Sequence, residues 1–117
     1  MKLRIRGNSL RLRLSQSEVT QLARDGRVED AVVFGPSKLT YVLATADVDR
    51  VGASYESNAI VVTLPKKRAD AWTSSDEVGI ESKGELGILV EKDWSCLKPR
   101  EGEDDADAFP HPEKTKR

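Results

Sequence analysis

The fold is decided by an N-terminal stretch in which apolar residues alternate with arginines on both sides of a short polar break. The stretch reads Lys2-Leu3-Arg4-Ile5-Arg6, then Gly7-Asn8-Ser9, then Leu10-Arg11-Leu12-Arg13-Leu14. A period of two is typical of a strand with one buried face, and a Gly-Asn pair suits a two-residue hairpin turn. We therefore predict a β-hairpin with its leucines and isoleucine inward, Arg4 opposite Arg11 and Lys2 opposite Arg13. A turn at Asn8-Ser9 would instead pair Arg6 with Arg11 without changing the faces.

The outward side of this hairpin, called the arginine face below, consists of Arg4, Arg6, Arg11 and Arg13. Like charges directly opposite each other destabilise a sheet, so this face requires a counter-charge. It is either a solvated surface whose side-chain stems cover apolar area, or a site for nucleic acid or an acidic protein, since guanidinium groups suit phosphate and carboxylate. A third alternative is that the acidic run 101–107 folds back over it.

Composition bounds the class of protein. The chain has 117 residues, 33% of them charged, and a formal net charge of −1. We predict one compact domain over residues 1–97 and a polar, acidic, flexible tail over 98–117. A nearly neutral domain does not make nucleic acid the default partner. One cysteine cannot form an internal disulfide, and no apolar run reaches the ~18 residues of a membrane span, so the expected location is the cytoplasm.

The chain also matches itself at an offset of fifty residues, without a gap. Asn8 falls on Asn58 in this alignment, and the apolar positions of the second predicted strand fall on Ile60, Val62 and Leu64. Further along, Leu39, Tyr41 and Leu43 match Leu86, Ile88 and Val90 at a slightly shorter offset. Such self-similarity predicts internal repeats, at about residues 1–45 and 51–93, although generic strand and helix patterning could agree by chance.

Each repeat is predicted to contain two strands, a short helix and two further strands. Ser15 and Glu18 form a capping-box pattern that starts the first helix, and Gly26 ends it. Pro65 starts the second helix, which buries Trp72. The fold class is therefore α+β and mostly β, with two ββαββ repeats arranged as a pseudo-two-fold barrel with two short helices. The later strands are predicted at Val28–Phe34, Lys38–Leu43, Glu77–Glu81 and Glu85–Glu91.

The run Gly7-Asn8-Ser9-Leu10, followed by Arg13-Leu14 and a helix, resembles the swapped-hairpin barrel of the antitoxin and transition-state-regulator family. Asn58, Leu64-Pro65 and 76–80 resemble the same pattern in the second half. The resemblance implies a single chain imitating that family's dimer and binding DNA through the first hairpin. The second half has Ser54, Glu56, Val61 and Thr63 in place of the arginines, so a palindromic operator would be contacted from one half only, unless the chain dimerises. The full chain is also similar to an uncharacterised family of small bacterial proteins.

The sequence offers little for catalysis or metal binding. His111 is the only histidine, and no nucleophile–base pair is apparent. Cys96 is expected to be a small buried hydrophobe, and with His111 it would supply two of the four ligands of a closed zinc site. Asp47-Val48-Asp49 begins like a calcium loop but lacks the later glycine and glutamate. The basic run 66–68 at the second helix start is either solvated or an anion contact. We therefore expect no enzyme activity, no cofactor and no metal.

The function best indicated by the sequence is a non-enzymatic binding module that uses the arginine face to engage an anionic partner, either nucleic acid or an acidic protein. The alternative is an interaction or structural protein that recruits a partner through its acidic, proline-containing tail. The oligomeric state is expected to be a pseudo-dimeric monomer or a homodimer, with no membrane association.

Overall fold

The computed structural model describes residues 1–93, which form two four-stranded sheets and two helices. The elements in chain order are β1 Lys2–Arg6, β2 Ser9–Leu14, α1 Gln16–Asp25, β3 Arg27–Phe34, β4 Ser37–Ala46, β5 Gly52–Glu56, β6 Ala59–Pro65, α2 Lys66–Thr73, β7 Gly79–Ser82 and β8 Gly87–Lys92. The mostly-β α+β class is thus confirmed. The predicted tail, 98–117, lies outside the described residues.

The N-terminal hairpin forms with the predicted register. Arg4 lies opposite Arg11 and Lys2 opposite Arg13, with the turn at Gly7-Asn8 rather than at Asn8-Ser9. Gly7 has a φ of 55°, which is the left-handed conformation that the first position of such a turn requires. Local alternation and one glycine are therefore sufficient to determine this element.

The predicted helix signals are also present. The Ser15 amide donates to the Glu18 carboxylate at 2.9 Å and the Glu18 amide donates to Ser15 Oγ at 3.4 Å, which completes the capping box. Gly26 ends α1 in the left-handed conformation, with a φ of 74°. Pro65 precedes α2 and, having no polar side chain, leaves that helix without a side-chain cap.

Sheet A combines strands from both ends of the described chain, and sheet B contains the four strands between them. Sheet A has the order β1-β2-β8-β7 and sheet B has the order β3-β4-β6-β5. The central pairs, β2 with β8 and β4 with β6, are parallel, and the outer pairs are antiparallel. Neither sheet closes on itself, so the predicted barrel is not confirmed, and the edge strands are β1, β7, β3 and β5.

The core lies between the two sheets and the helices. Its most buried side chains come from both central strand pairs and from one face of each helix; they include Leu12, Leu14, Leu22, Leu43, Val62, Leu64, Val90 and Trp72. The expectation of a buried Trp72 is confirmed. Ile5 was expected inward with the leucines but is 57% exposed, because β1 is the edge strand of sheet A.

The last two strands begin later than predicted. β7 begins at Gly79, where a Cβ would lie 2.7 Å from the Val90 carbonyl oxygen, so only glycine permits the approach of the two backbones. β8 begins at Gly87, because the Asn8 side chain holds the Glu85 carbonyl and keeps that residue outside the ladder. The predicted turn at 82–84 is therefore a longer loop over 83–86.

Candidate anion-binding face

The arginine face lies on the outer side of sheet A, and the strand register carries it across all four strands. One cross-strand row contains Arg4, Arg11, Leu89 and Glu81. The neighbouring row contains Lys2, Arg13, Glu91 and Gly79. Two charged rows thus run from the N-terminal hairpin onto the last strands of the described chain.

The counter-charge that the hairpin requires is supplied by β8. The Glu91 carboxylate lies 2.9 Å from Arg11 Nε and 3.0 Å from Arg13 Nε, and its side chain is only 13% exposed. Asp93, which follows β8, lies 3.3 Å from the Lys2 ammonium. The acidic run 101–107, predicted as an internal counter-charge, lies outside the described residues.

The other end of the face opens into a groove of about 260 Å³, named the arginine groove below. Arg4, Arg6, Arg11 and Lys83 line this groove. One carboxylate, Glu81, is also part of the lining. Within residues 1–93, Arg6 makes no ion pair, whereas Arg11 already contacts Glu91. Positive charge therefore exceeds negative charge around the opening.

The floor of the arginine groove is low because of a glycine. Gly87 pairs with Ser9, and a Cβ at this position would lie 3.3 Å from the Ser9 Cβ. The Gly87 amide also donates to the Asn8 carbonyl at 3.0 Å, and Ser9 Oγ donates to the Arg6 carbonyl at 2.7 Å. These bonds hold the hairpin turn against the start of β8, so the groove has a defined backbone frame.

Sheet B presents no comparable charge at the corresponding strands. Its row through Val61 contains Glu29, Val42 and Ser54, and the neighbouring row contains Ala59 opposite Glu56. The row through Thr63 contains Arg27, which is paired with Glu29, so the clustered arginines belong to sheet A.

A second basic segment lies at the start of α2, beside a cavity of about 650 Å³ that Asp47 and Asp49 also line. Lys66 pairs with Asp70 at 3.5 Å, and the Arg68 guanidinium binds both carboxylate oxygens of Glu77. The Arg68 hydrogen bonds hold the pKa of Glu77 below its ordinary value. Two of the three cations in this run therefore have acidic partners within the protein.

Other predicted positions give no further site in the described chain. Asp47 and Asp49 lie in the loop between β4 and β5, and no group of three or more His, Cys, Asp or Glu side chains within residues 1–93 could hold a metal ion. Cys96 and His111 lie outside the described residues. In the same part of the chain, no helix is long and apolar enough to cross a membrane.

Sequence reasoning missed the contribution of the last strands to this face. Glu91, Lys83 and Gly87 are distant in the chain from the arginines, and only the parallel pairing of β2 with β8 brings them together. The alternation of Ile88 and Val90 with Leu89 and Glu91 does predict the outward direction of Glu91, but it does not identify the neighbouring strand.

The comparisons with known proteins concern nearly the whole chain. A sequence model described as a family of unknown function (DUF7009) matches residues 1–113. The chain belongs to this family. No curated protein and no solved structure matches the chain. Membership confirms the similarity to an uncharacterised family and assigns no activity.

Proposed function

We propose that this DUF7009 protein is a non-enzymatic, cytoplasmic binding module that engages an anionic macromolecule, nucleic acid or acidic protein, through the arginine groove. The observation that carries the proposal is the convergence of Arg4, Arg6, Arg11 and Lys83 on one open groove beside a glycine floor. Guanidinium groups form paired hydrogen bonds with phosphate or carboxylate oxygens, which makes an anionic group the natural ligand.

The charge distribution supports this assignment. Glu91 and Asp93 balance the row at the helix end of sheet A, through Arg13 and Lys2. The groove end has Glu81 among several cations. Clefts lined by charge of one sign raise the local concentration of oppositely charged ligands, which favours an anionic ligand at the groove end.

We further propose that the two halves are repeats and that the sheets are a single-chain form of the swapped-hairpin arrangement. The parallel registers support this proposal: Leu12 pairs with Val90, and their repeat counterparts Val62 and Leu43 also pair with each other. Leu10 with Ile88 corresponds to Ile60 with Tyr41 in the same way. In this arrangement the arginines are what distinguishes one half from the other.

The test is a binding assay by fluorescence anisotropy, with a labelled DNA duplex, a labelled single strand and a labelled poly-glutamate peptide as probes. Binding to one of them should weaken steeply with salt, with a slope of about 0.9 per neutralised phosphate for duplex DNA. The double variant Arg4→Ser/Arg6→Ser should lose at least tenfold in affinity and lower that slope.

The matched control is Arg24→Ser/Arg27→Ser, which removes the same number of exposed arginines from α1 and β3. Equal losses in the two double variants would show that only net charge matters and would refute a groove. Binding to the peptide but not to either nucleic acid would assign an acidic protein as the partner. No binding to any of the three probes would count against the proposal.

A further inference from the structure

The β3–β4 hairpin extends well beyond the rest of sheet B. The first β4 residue that pairs with β6 is Thr40, so residues 32–39, named the β3–β4 arm below, form a two-stranded ribbon. The corresponding hairpin of sheet A has no such extension, because β8 pairs with β2 from its first residue, Gly87. A two-stranded ribbon is marginally stable in water on its own, so pairing with a further strand would stabilise the arm.

The arm is apolar where an ordinary exposed ribbon would be charged. Val32, Val33 and Phe34 are 43%, 71% and 56% exposed, and residues 31–37 contain no charged side chain. β3 is also an edge strand with no neighbour on its outer side within residues 1–93. Natural sheets protect such edges with charge, proline or bulges, and an unprotected apolar edge is a template for a further strand.

The backbone bonds show which groups are available along this edge. The Thr45 amide donates to the Gly26 carbonyl at 3.0 Å, and in an antiparallel pair bonded and non-bonded pairs alternate. Val28, Asp30, Val32 and Phe34 therefore direct their amides and carbonyls towards β4. Those of Glu29, Ala31 and Val33 point outward: the Ala31 amide donates to the Asp30 carboxylate at 3.0 Å, and none of these residues bonds to a neighbouring strand on this side within residues 1–93.

We propose that the arm is a homodimer interface in which β3 pairs antiparallel with β3 of a second copy, about a two-fold axis at Val32. In this register Ala31 of each copy exchanges two backbone hydrogen bonds with Val33 of the other, which makes four in all, and the Ala31 amide gives up its bond to the Asp30 carboxylate. Val32 then faces Val32 of the second copy across the axis, and the interface core contains no charge.

Strand length and charge select this register over its neighbours. An axis at Val33 would set Ala31 against Gly35, which lies beyond the end of β3. An axis at Asp30 or Glu29 would place a carboxylate directly opposite its own copy, which is destabilising. An axis at Ala31 would set Glu29 against Val33. Among the edge strands of the described chain, β1 carries two arginines and a lysine, and β5 and β7 each carry a glutamate. β5 also has four uncharged residues, 52–55, but only one of them, Tyr55, is a large exposed apolar side chain, whereas β3 offers three in succession.

The partner is identified as a second copy because the arm lacks the chemistry for other occupants. Nucleic acid needs cations, and the nearest one on the arm is Lys38, on the outer face opposite Val33. The described chain ends at Asp93, beside Leu14 at the helix end of sheet A, whereas the arm extends from the opposite end of sheet B. The inference is independent of what the arginine groove binds.

The experiment is a charge swap at the axis, with the full chain measured by sedimentation velocity over a concentration series. The wild type should show a monomer–dimer equilibrium that shifts with concentration. Val32→Lys and Val32→Asp should each be monomeric, and an equimolar mixture should restore the dimer. Val48→Lys, at a valine of similar exposure outside the arm, should dimerise like the wild type. Circular dichroism would confirm that each variant folds.

Amide hydrogen exchange distinguishes a second copy from residues 94–117 of the same chain as the partner of the β3 edge. Protection of the Ala31 and Val33 amides should rise with protein concentration. Because the Ala31 amide also bonds to Asp30 within one chain, the Val33 amide decides: protection of Val33 that does not depend on concentration would indicate that residues 94–117 of the same chain cover the edge and would overturn the proposal. A wild type that stays monomeric throughout the series, or a dimer that persists in both Val32 variants, would also overturn it.

Discussion

Arg11 Nε lies 2.9 Å from the Glu91 carboxylate, although the two residues come from opposite ends of the described chain. The same carboxylate oxygen lies 3.0 Å from Arg13 Nε, so one acid from β8 holds two cations of β2. This contact ties the parallel pairing of the two strands to the electrostatics of the arginine face. Because Arg11 also lines the arginine groove, its contact with Glu91 lowers the positive charge that the groove presents to a ligand.

Replacing Glu91 should separate fold stability from anion binding. Glu91→Gln should lower the free energy of unfolding by about 1–3 kcal/mol, because two cations on a partly buried strand lose their counter-charge. The same change should strengthen binding of the anionic probe and make it more sensitive to salt, since Arg11, which lines the groove, loses its contact with Glu91. Urea unfolding and anisotropy measure the two effects. Glu29→Gln, which removes an exposed acid paired with Arg27, should change neither by much; weaker probe binding in Glu91→Gln would contradict the expected balance.

Alanine substitutions at Gly79, Gly84 and Gly87 should lower the stability of the protein by very different amounts. Gly79→Ala should cost about 1–3 kcal/mol of stability, because the new Cβ would lie 2.7 Å from the Val90 carbonyl oxygen. Gly84→Ala should be nearly neutral, since nothing lies within 4 Å of a Cβ there. Thermal unfolding would rank the three, with Gly87→Ala between them, and a neutral Gly79→Ala would show that the backbones are not in close contact.

Filling the groove floor should weaken binding without unfolding the protein. Gly87→Val adds a branched side chain beside Ser9, between the arginines that line the opening. Its affinity for the anionic probe should fall more than that of Gly84→Val, a change in the neighbouring loop. Equal affinities in the two variants would mean that the ligand does not enter at Gly87.

Stability should depend on pH through Glu18. Burial alone would raise the pKa of this carboxyl, but hydrogen bonds from the N-terminal ammonium and the Ser15 amide outweigh it, and the pKa lies below its ordinary value of 4.5. The resulting stabilisation is fully present above pH 4.5 and is lost as the pH falls through the lower, folded-state pKa. Glu18→Gln should therefore be less stable than the wild type by about 1 kcal/mol at pH 7, and the two should converge in acid. If the stability difference between the wild type and Glu18→Gln stays constant until the protein unfolds in acid, the ionised Glu18 carboxylate is not its cause.

The buried indole should tolerate loss of its polar group. Trp72 is 0% exposed, and its Nε1 has no hydrogen-bond partner in the described structure. Trp72→Phe removes this unsatisfied donor together with part of the packing, so we expect a smaller loss of stability than the 2–5 kcal/mol typical of a core leucine truncation such as Leu12→Ala. Chemical denaturation of both variants measures the difference, and a larger loss for Trp72→Phe would indicate that Nε1 is bonded in solution.

Local patterns predicted the parts of this fold that depend on near neighbours. The register of Arg4 with Arg11, the Ser15–Glu18 capping box and the glycine end of α1 follow from alternation, capping and backbone freedom within a few residues. The internal match, at fifty residues and then at a slightly shorter offset, indicated the later strands. β7 and β8 nevertheless begin two residues later than expected, because of the backbone approach at Gly79 and the side-chain bond to Glu85.

The sequence predicted the arginines of the candidate site but not the residues of the last strands that surround them. The arginines stand out because charge alternates with leucine in one short run. Their acidic partner Glu91 and the groove residues Lys83 and Gly87 become neighbours only through a parallel strand pair, and no local periodicity specifies which distant strand fills that place. The exposure of Ile5 and of the β3–β4 arm depends likewise on where each sheet stops.

The most direct measurement is an amide NMR titration of the full chain with the anionic probe that binds in the anisotropy assay. The largest shift changes should map to Arg6, Ser9, Lys83 and Gly87 around the arginine groove, and they should vanish in Arg4→Ser/Arg6→Ser. Changes confined to sheet B or to the start of α2, or a pattern unaltered in the double variant, would contradict binding at the arginine groove.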